Sequence, residues 1–116
     1  MAVMWQKGYA AGKDGVRIFY RYLKKGLPVL VFLHGGTGSM SAMFLQERFF
    51  SKKGISLLFI DLRGHGYSDR GKGSEFFRLE KFASDVDAVL RKVGIGKAVV
   101  IGHCFGSFVA QQFARD

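Results

Sequence analysis

The residues with the clearest chemical potential are the five at positions 102–106, Gly-His-Cys-Phe-Gly. They follow the apolar run at 98–101 and precede a helix-like stretch at 107–115. A tight Gly-x-nucleophile-x-Gly turn between a strand and a helix exposes its central side chain at the end of a sheet. The N-terminus of a helix stabilises a negative charge and therefore favours the thiolate form of a cysteine. We therefore predict that Cys104 acts as a nucleophile.

The alternative for Cys104 is a buried structural cysteine, which is a common role for an unpaired cysteine. The flanking residues Gly102 and Gly106 favour the catalytic interpretation. Glycine permits the strained turn and the close approach of strand to helix that an exposed nucleophile requires.

Attack on a carbonyl group also requires backbone N–H groups that bind the developing oxyanion. The residue after the nucleophile, Phe105, can supply one donor. The second is expected in the glycine-rich stretch at 34–38, with Gly36 as the first choice and Thr37 as the next. This stretch lacks the Lys-Ser/Thr ending of a P-loop and the spacing of a dinucleotide fingerprint, so we do not interpret it as a phosphate site.

The remaining polar loop residues are expected to be structural. We expect His34 to brace the oxyanion loop and His103 to point away from Cys104. None of the three histidines is expected to act as the general base, although His65 is the nearest candidate among them. The sequence predicts neither a metal site nor a bound cofactor. The charged residues of the second polar loop are expected to brace it: Asp61, Arg63 and Asp69.

The elements that must position these residues follow an α/β pattern. Two strand-like segments at 5–11 and 16–23 flank a glycine-bounded turn and predict an antiparallel hairpin. Apolar runs without polar alternation are typical of strands buried on both faces. Three such runs occur, at 28–33, 55–60 and 98–101, and we expect the last to be a central strand.

Helices are predicted between and after these strands. The first covers 39–50 with Ser39 or Ser41 as its cap, and the second covers 76–93, ends at Gly94 and has one apolar stripe. The third is the stretch that follows the cysteine. Alternating strands and helices imply right-handed crossovers, parallel strands and helices on both faces of one sheet.

Composition excludes several other classes of protein. The chain has 116 residues and is 48% hydrophobic, which suits one folded unit and argues against disorder. Its net charge of +9 is scattered, so we do not expect nucleic-acid binding. One cysteine, no signal peptide and no run of about 20 apolar residues predict a cytoplasmic location without membrane association.

Three motifs in a fixed order carry a resemblance to a known family. They are His-Gly-Gly-Thr-Gly at 34–38, Asp-Leu-Arg-Gly-His-Gly-Tyr-Ser at 61–68, and the cysteine turn at 102–106. Over essentially its whole length the chain resembles the N-terminal half of an α/β-hydrolase fold enzyme. The resemblance implies an initial hairpin, a mostly parallel sheet, and a nucleophile that forms a covalent acyl-type intermediate.

The chain departs from most members of that family at Cys104, where they carry serine. Epoxide hydrolases and haloalkane dehalogenases of this fold carry aspartate there, so the resemblance argues against both. A cysteine is similar to the elbow of dienelactone hydrolases and polyhydroxyalkanoate synthases, whereas the first two motifs look more like esterases, peroxidase-like enzymes and aminopeptidase-like enzymes. An engineered serine-to-cysteine change stays open.

In this fold the acid and the histidine of the triad follow the nucleophile. Twelve residues follow Cys104, and none is a histidine. We therefore expect residues 1–116 to be one partial α/β-hydrolase domain, truncated after the elbow helix and inactive alone. The resemblance implies that the longer enzyme hydrolyses a small ester, lactone, thioester or similar acyl substrate through Cys104. The alternatives are a catalytically inactive binding protein and an acyltransferase or synthase that uses the same elbow.

Overall fold

The structure is a computed structural model that describes residues 5–36 and 38–116. In this part of the chain, five strands form one sheet, and helices connect and follow them. The strands are β1 (Gln6–Ala11), β2 (Arg17–Leu23), β3 (Gly26–Leu33), β4 (Ile55–Ile60) and β5 (Val99–Gly102). The helices are a 3-10 turn (Met40–Met43), α1 (Phe44–Phe50), α2 (Leu79–Val93) and α3 (Phe105–Arg115).

The sheet has the strand order β1-β2-β4-β3-β5. The predicted hairpin is confirmed, because β1 pairs antiparallel with β2, and β2 in turn pairs antiparallel with β4. The strand β3 lies parallel to both β4 and β5. The carboxyl ends of these three parallel strands therefore meet at one edge of the sheet, where the candidate site residues follow them.

In the described chain β5 lies at the edge of the sheet and pairs with β3. The expectation of a central strand concerned the complete sheet, with a further strand on the other side of β5, and it stays a prediction. The first residue of β5, Val99, is 50% exposed. The unbroken apolar run that predicted a buried strand is therefore only partly buried in the described residues.

Helices cover both faces of the sheet, as predicted. In β3, Val31 and Leu33 face α2 and α3, whereas Leu30 and Phe32 face the side of the 3-10 turn and α1. Because successive side chains of a strand point to opposite faces, a strand covered on both sides needs apolar residues at every position. This explains the unbroken apolar run of β3.

The first predicted helix is divided into two pieces. The 3-10 turn begins after Ser39, whose hydroxyl oxygen accepts the backbone N–H of Ser41 at 3.3 Å. The α-helix α1 begins only at Phe44. The predicted cap at Ser39 is therefore confirmed, but a single helix over the whole segment is wrong.

The helix α2 begins at Leu79, three residues later than predicted. The preceding Phe76 is held outside the helix, because its carbonyl oxygen accepts a hydrogen bond from the Arg63 guanidinium at 3.0 Å. The predicted end at Gly94 is confirmed by a left-handed φ of 76°. None of the helices in the described residues has the length and hydropathy that a membrane crossing requires.

Candidate active site

Cys104 lies in a sharp turn between β5 and α3, as the sequence predicts. The backbone of Cys104 has φ 52° and ψ −117°. Among the described residues, Cys104 is the one residue other than glycine whose φ is positive. Its side chain is exposed. The alternative of a buried structural cysteine does not hold, because this geometry presents the thiol to the carboxyl edge of the sheet.

Backbone contacts hold this turn close to β3. The N–H of His103 donates to the carbonyl oxygen of Leu33 at 3.0 Å, and the N–H of Gly106 donates to the carbonyl oxygen of His103 at 2.9 Å. A Cβ on Gly106 would overlap the carbonyl oxygens of Leu33 and His34. Glycine at this position is therefore what allows α3 to begin directly against the end of β3.

The structure brings the two predicted oxyanion residues together. An ideal Cβ placed on Gly36 would lie 3.6 Å from the Cβ of Phe105, and one on Gly35 would lie 3.4 Å from the Cβ of Cys104. Phe105 is the first residue of α3, where a backbone N–H has no partner within the helix. Thr37, the second choice, lies outside the described residues.

His34 braces the oxyanion loop, as expected. It is 1% exposed, its Nε2 accepts the backbone N–H of Leu62 at 2.9 Å, and its Nδ1 donates to the carbonyl oxygen of Gly35 at 2.7 Å. Burial lowers the pKa of His34, since an imidazolium is poorly solvated there. Both ring nitrogens of the neutral histidine are therefore used to connect the oxyanion loop to the second polar loop.

Asp61 connects the same two loops through its carboxylate. One carboxylate oxygen accepts the backbone N–H of Met40 at 2.7 Å, and the other accepts that of Tyr67 at 3.0 Å. Asp69 pairs with Arg17 at 3.1 Å, and hydrogen bonds from Arg17 lower the pKa of Asp69. These contacts support the bracing role that we expected for the two carboxylates.

Arg63 is the centre of a buried ionic cluster that the sequence did not reveal. Its guanidinium lies 2.7 Å from the carboxylate of Asp85 on α2 and 3.0 Å from that of Asp14 in the hairpin turn. Although burial opposes the charge, hydrogen bonds to these two carboxylates raise the pKa of Arg63. Arg63 therefore braces its loop, and it does so by connecting the loop to α2 and to the hairpin.

His65 contacts the loop that contains it. Its Nδ1 donates to the carbonyl oxygen of Arg63 at 2.8 Å, and its ring centroid lies 5.1 Å from that of His34. These contacts suit the structural role that we expected for His65 in its loop. In the described chain, no cluster of three or more histidine, cysteine, aspartate or glutamate residues is arranged to hold a metal ion.

His103 does not point away from Cys104, so that expectation is wrong. The Nε2 of His103 lies 3.7 Å from the Sγ of Cys104, and both side chains are exposed. We had expected that a formed elbow would direct the two side chains apart. The positive φ of Cys104 reverses the chain at this point and brings the two consecutive side chains together.

The chain matches known proteins over most of its length. A family model described as "alpha/beta hydrolase fold" matches residues 28–116. A bifunctional esterase/perhydrolase from Acinetobacter calcoaceticus is 38% identical over 101 residues, which are 85% of this chain and 36% of the relative. Bifunctional epoxide hydrolase 2 from Sus scrofa is 30% identical over 107 residues, which are 92% of this chain and 19% of the relative.

Solved structures agree with this similarity. An esterase from Exiguobacterium antarcticum has a TM-score of 0.87 to this structure at 21% sequence identity, and the match covers 96% of this chain and 40% of that one. At this level of identity the likeness concerns the fold. The chain thus spans less than half of the length of these relatives.

Proposed function

Because this chain belongs to the alpha/beta hydrolase fold family, we propose that the protein that contains it hydrolyses a small ester, lactone, thioester or similar acyl substrate through Cys104. The observation that carries the proposal is the exposed thiol of Cys104 in a strained turn. Gly36 lies next to Phe105, since an ideal Cβ on Gly36 would be 3.6 Å from the Cβ of Phe105. The backbone N–H groups of these two residues are the donors that we assign to the oxyanion.

The chemistry proceeds through a thioester. The Sγ of Cys104 attacks the carbonyl carbon, and the electron pair of the C=O bond moves to the oxygen, which Phe105 and Gly36 stabilise as an oxyanion. When the C=O bond forms again, the bond to the leaving group breaks and the leaving group takes a proton. Water then attacks the thioester, which releases the acid and restores the thiol.

The epoxide hydrolases among the relatives suggest that epoxide opening is a second candidate reaction. The sulfur nucleophile at position 104 does not suit that reaction. An aspartate that opens an epoxide forms an ester, which water can hydrolyse. The sulfur of Cys104 would instead form a thioether with the epoxide carbon, and water does not cleave a thioether. A cysteine at this position therefore favours acyl substrates over epoxides.

The decisive test is to trap the acyl enzyme. The full-length protein is mixed with p-nitrophenyl acetate, quenched in acid, digested and examined by peptide mass spectrometry. We expect one acetyl group on the peptide that contains Cys104, and no adduct and no turnover with Cys104→Ala. The matched variant Cys104→Ser replaces the sulfur nucleophile with an oxygen nucleophile and should form an ester adduct at the same position.

Three results would contradict the proposal. Turnover that survives Cys104→Ala would show that another group attacks the substrate. The absence of both adduct and turnover across a series of acyl chain lengths would favour the binding-protein alternative. Transfer of the acetyl group to an added alcohol in preference to water would instead identify an acyltransferase.

A further inference from the structure

We propose that a groove on the N-terminal hairpin binds a small aromatic carboxylate, such as an arylpropenoic acid. The groove lies between one face of β1 and β2, the 3-10 turn and the second polar loop, and its volume is about 740 Å³. Cavities of this size suit small molecules. The hairpin and β5, which leads to Cys104, lie at opposite edges of the described sheet, so this inference does not depend on the proposed function.

Three aromatic rings form a cup in this groove. The rings of Tyr9 and Tyr67 flank that of Phe19, with ring centroids 5.3 Å and 5.2 Å from its centroid. Both flanking rings are inclined to the central ring, by 58° and 61°. Tyr9 and Tyr67 are 40% and 73% exposed, so much of their surface is open to a ligand. A cup of this shape can hold a flat ring by stacking and by edge contacts.

The pairing of β1 with β2 places the aromatic rings and a cation on one face of the hairpin. Tyr9 lies directly opposite Phe19, and Lys7 lies in the same way opposite Arg21. Side chains two residues apart on a strand point to the same face, so these two pairs are neighbours, about 7 Å apart along the hairpin. A ligand ring on the aromatic pair can therefore extend a carboxylate towards Lys7. A short spacer between ring and carboxylate, as in arylpropenoic acids, suits this separation.

The charges at the groove favour an anion. Lys7 is exposed, and it has no ion-pair partner among residues 5–36 and 38–116. It faces Arg21 across the hairpin, and like charges directly opposite each other are unfavourable. Glu47 pairs with Arg21 at 2.9 Å, which leaves Lys7 without a counter-charge of its own. A ligand carboxylate beside Lys7 would supply that charge.

A cup of aromatic rings can also bind a cation, but the neighbouring groups oppose one here. The guanidinium of Arg17 already lies over the ring of Tyr9, at 5.3 Å from its centroid. Asp61 also lines the groove, but it is 1% exposed, and its two carboxylate oxygens accept backbone N–H groups at 2.7 Å and 3.0 Å. The groove therefore presents aromatic surface and the ammonium group of Lys7 to a ligand.

The test measures binding of para-fluorocinnamate to the full-length protein by fluorine NMR, from the change in the ligand signal as protein is added. We expect saturable binding with a dissociation constant below about 1 mM. Tyr67→Ala should weaken binding by about fivefold, because it removes one wall of the cup. Lys7→Gln should weaken binding by about threefold, because it removes the cation. Both side chains are exposed, so we expect these variants to fold.

Two control variants and one neutral ligand make the test specific. Lys13→Gln removes a cation from the turn of the same hairpin, and Phe108→Ala removes an exposed ring from α3. Both variants should bind the acid as tightly as the wild type does. The amide of the same acid keeps the ring without the charge. It should bind about threefold more weakly than the acid, and Lys7→Gln should not change its binding.

Four results would overturn the inference. They are the absence of saturable binding below about 1 mM, binding that survives both Tyr67→Ala and Lys7→Gln, equal losses in the two control variants, and displacement of the acid by tetramethylammonium. The second result would place the acid elsewhere, for example at Cys104, and the last would identify a cation site. The proposed function is tested separately, because Cys104→Ala should abolish turnover and leave binding at the hairpin unchanged.

Discussion

The carbonyl oxygen of Leu33 accepts the backbone N–H of His103 at 3.0 Å. Leu33 is the last residue of β3 and directly precedes the oxyanion loop, whereas His103 directly precedes the candidate nucleophile. This hydrogen bond extends the pairing of β3 with β5 and joins the two segments that are proposed to act on the same carbonyl group. Anything that moves the end of β3 away from the turn at Cys104 should disturb both.

We expect Gly106→Ala to separate these two segments. Its Cβ would overlap the carbonyl oxygens of Leu33 and His34, which are backbone atoms that cannot rotate away. The free energy of unfolding of the full-length protein, measured by urea denaturation, should fall by about 3 kcal/mol or more. Acyl-enzyme formation on Cys104 should fall with it.

Gly96→Ala is the matched control for this substitution. A Cβ on Gly96 would meet no atom within 4 Å, and its φ is not in the left-handed region. The free energy of unfolding should therefore change by no more than about 0.5 kcal/mol. Equal losses in the two variants would contradict the role assigned to the contact between Gly106 and Leu33.

The positive φ of Cys104 makes a second prediction. A residue with a Cβ is strained in this conformation, whereas glycine adopts it without that cost. Cys104→Gly should therefore be more stable than Cys104→Ala by about 1 kcal/mol in urea denaturation. In a regular helix, glycine in place of alanine should have the opposite effect. Ala110→Gly in α3 should lower the free energy of unfolding by about 1 kcal/mol. Two changes of the same sign would contradict strain at the turn.

Much of the fold follows from local patterns in the sequence. Unbroken apolar runs predicted β3 and β4, because these strands are covered on both faces. The strand order β1-β2-β4-β3-β5 was not predicted, since it depends on contacts between distant segments. The start of α2 was wrong for a similar reason, because Arg63 holds Phe76 outside the helix.

The site was predictable where the chemistry is local in the sequence. The spacing of glycines around Cys104 predicted the exposed turn, and the resemblance pointed to the oxyanion loop. The contact between His103 and Cys104 occurs at a residue with an unusual backbone angle, whose effect on two neighbouring side chains is not visible in the sequence. The pairing of Arg63 with Asp85 joins residues from different elements, so no local pattern indicates it.

The buried pair of Arg63 and Asp85 provides a third prediction. Both side chains are almost fully buried, at 1% and 2% exposed, so removing Arg63 deprives the buried carboxylate of Asp85 of this ion pair. Arg63→Met should lower the free energy of unfolding by about 3–5 kcal/mol. The double variant Arg63→Met/Asp85→Leu should recover part of this loss, because it removes both charges from the interior. If it recovers nothing, the loss comes from packing and not from the unpaired carboxylate.

The buried imidazole of His34 predicts how stability depends on pH. Burial lowers the pKa of His34 below its ordinary value of 6.5, so the folded protein holds the residue neutral where the unfolded chain binds a proton. Above pH 6.5 both states are neutral and the contribution of His34 to stability is complete. As the pH falls below that value, proton uptake by the unfolded chain lowers the free energy of unfolding. Urea denaturation between about pH 8 and pH 5, above the range where carboxylates titrate, should show this decrease.

His34→Gln has no group that titrates in this range, and its side-chain amide can still accept and donate hydrogen bonds. The decrease should therefore be smaller in the variant, and equal slopes in the two proteins would show that another group is responsible.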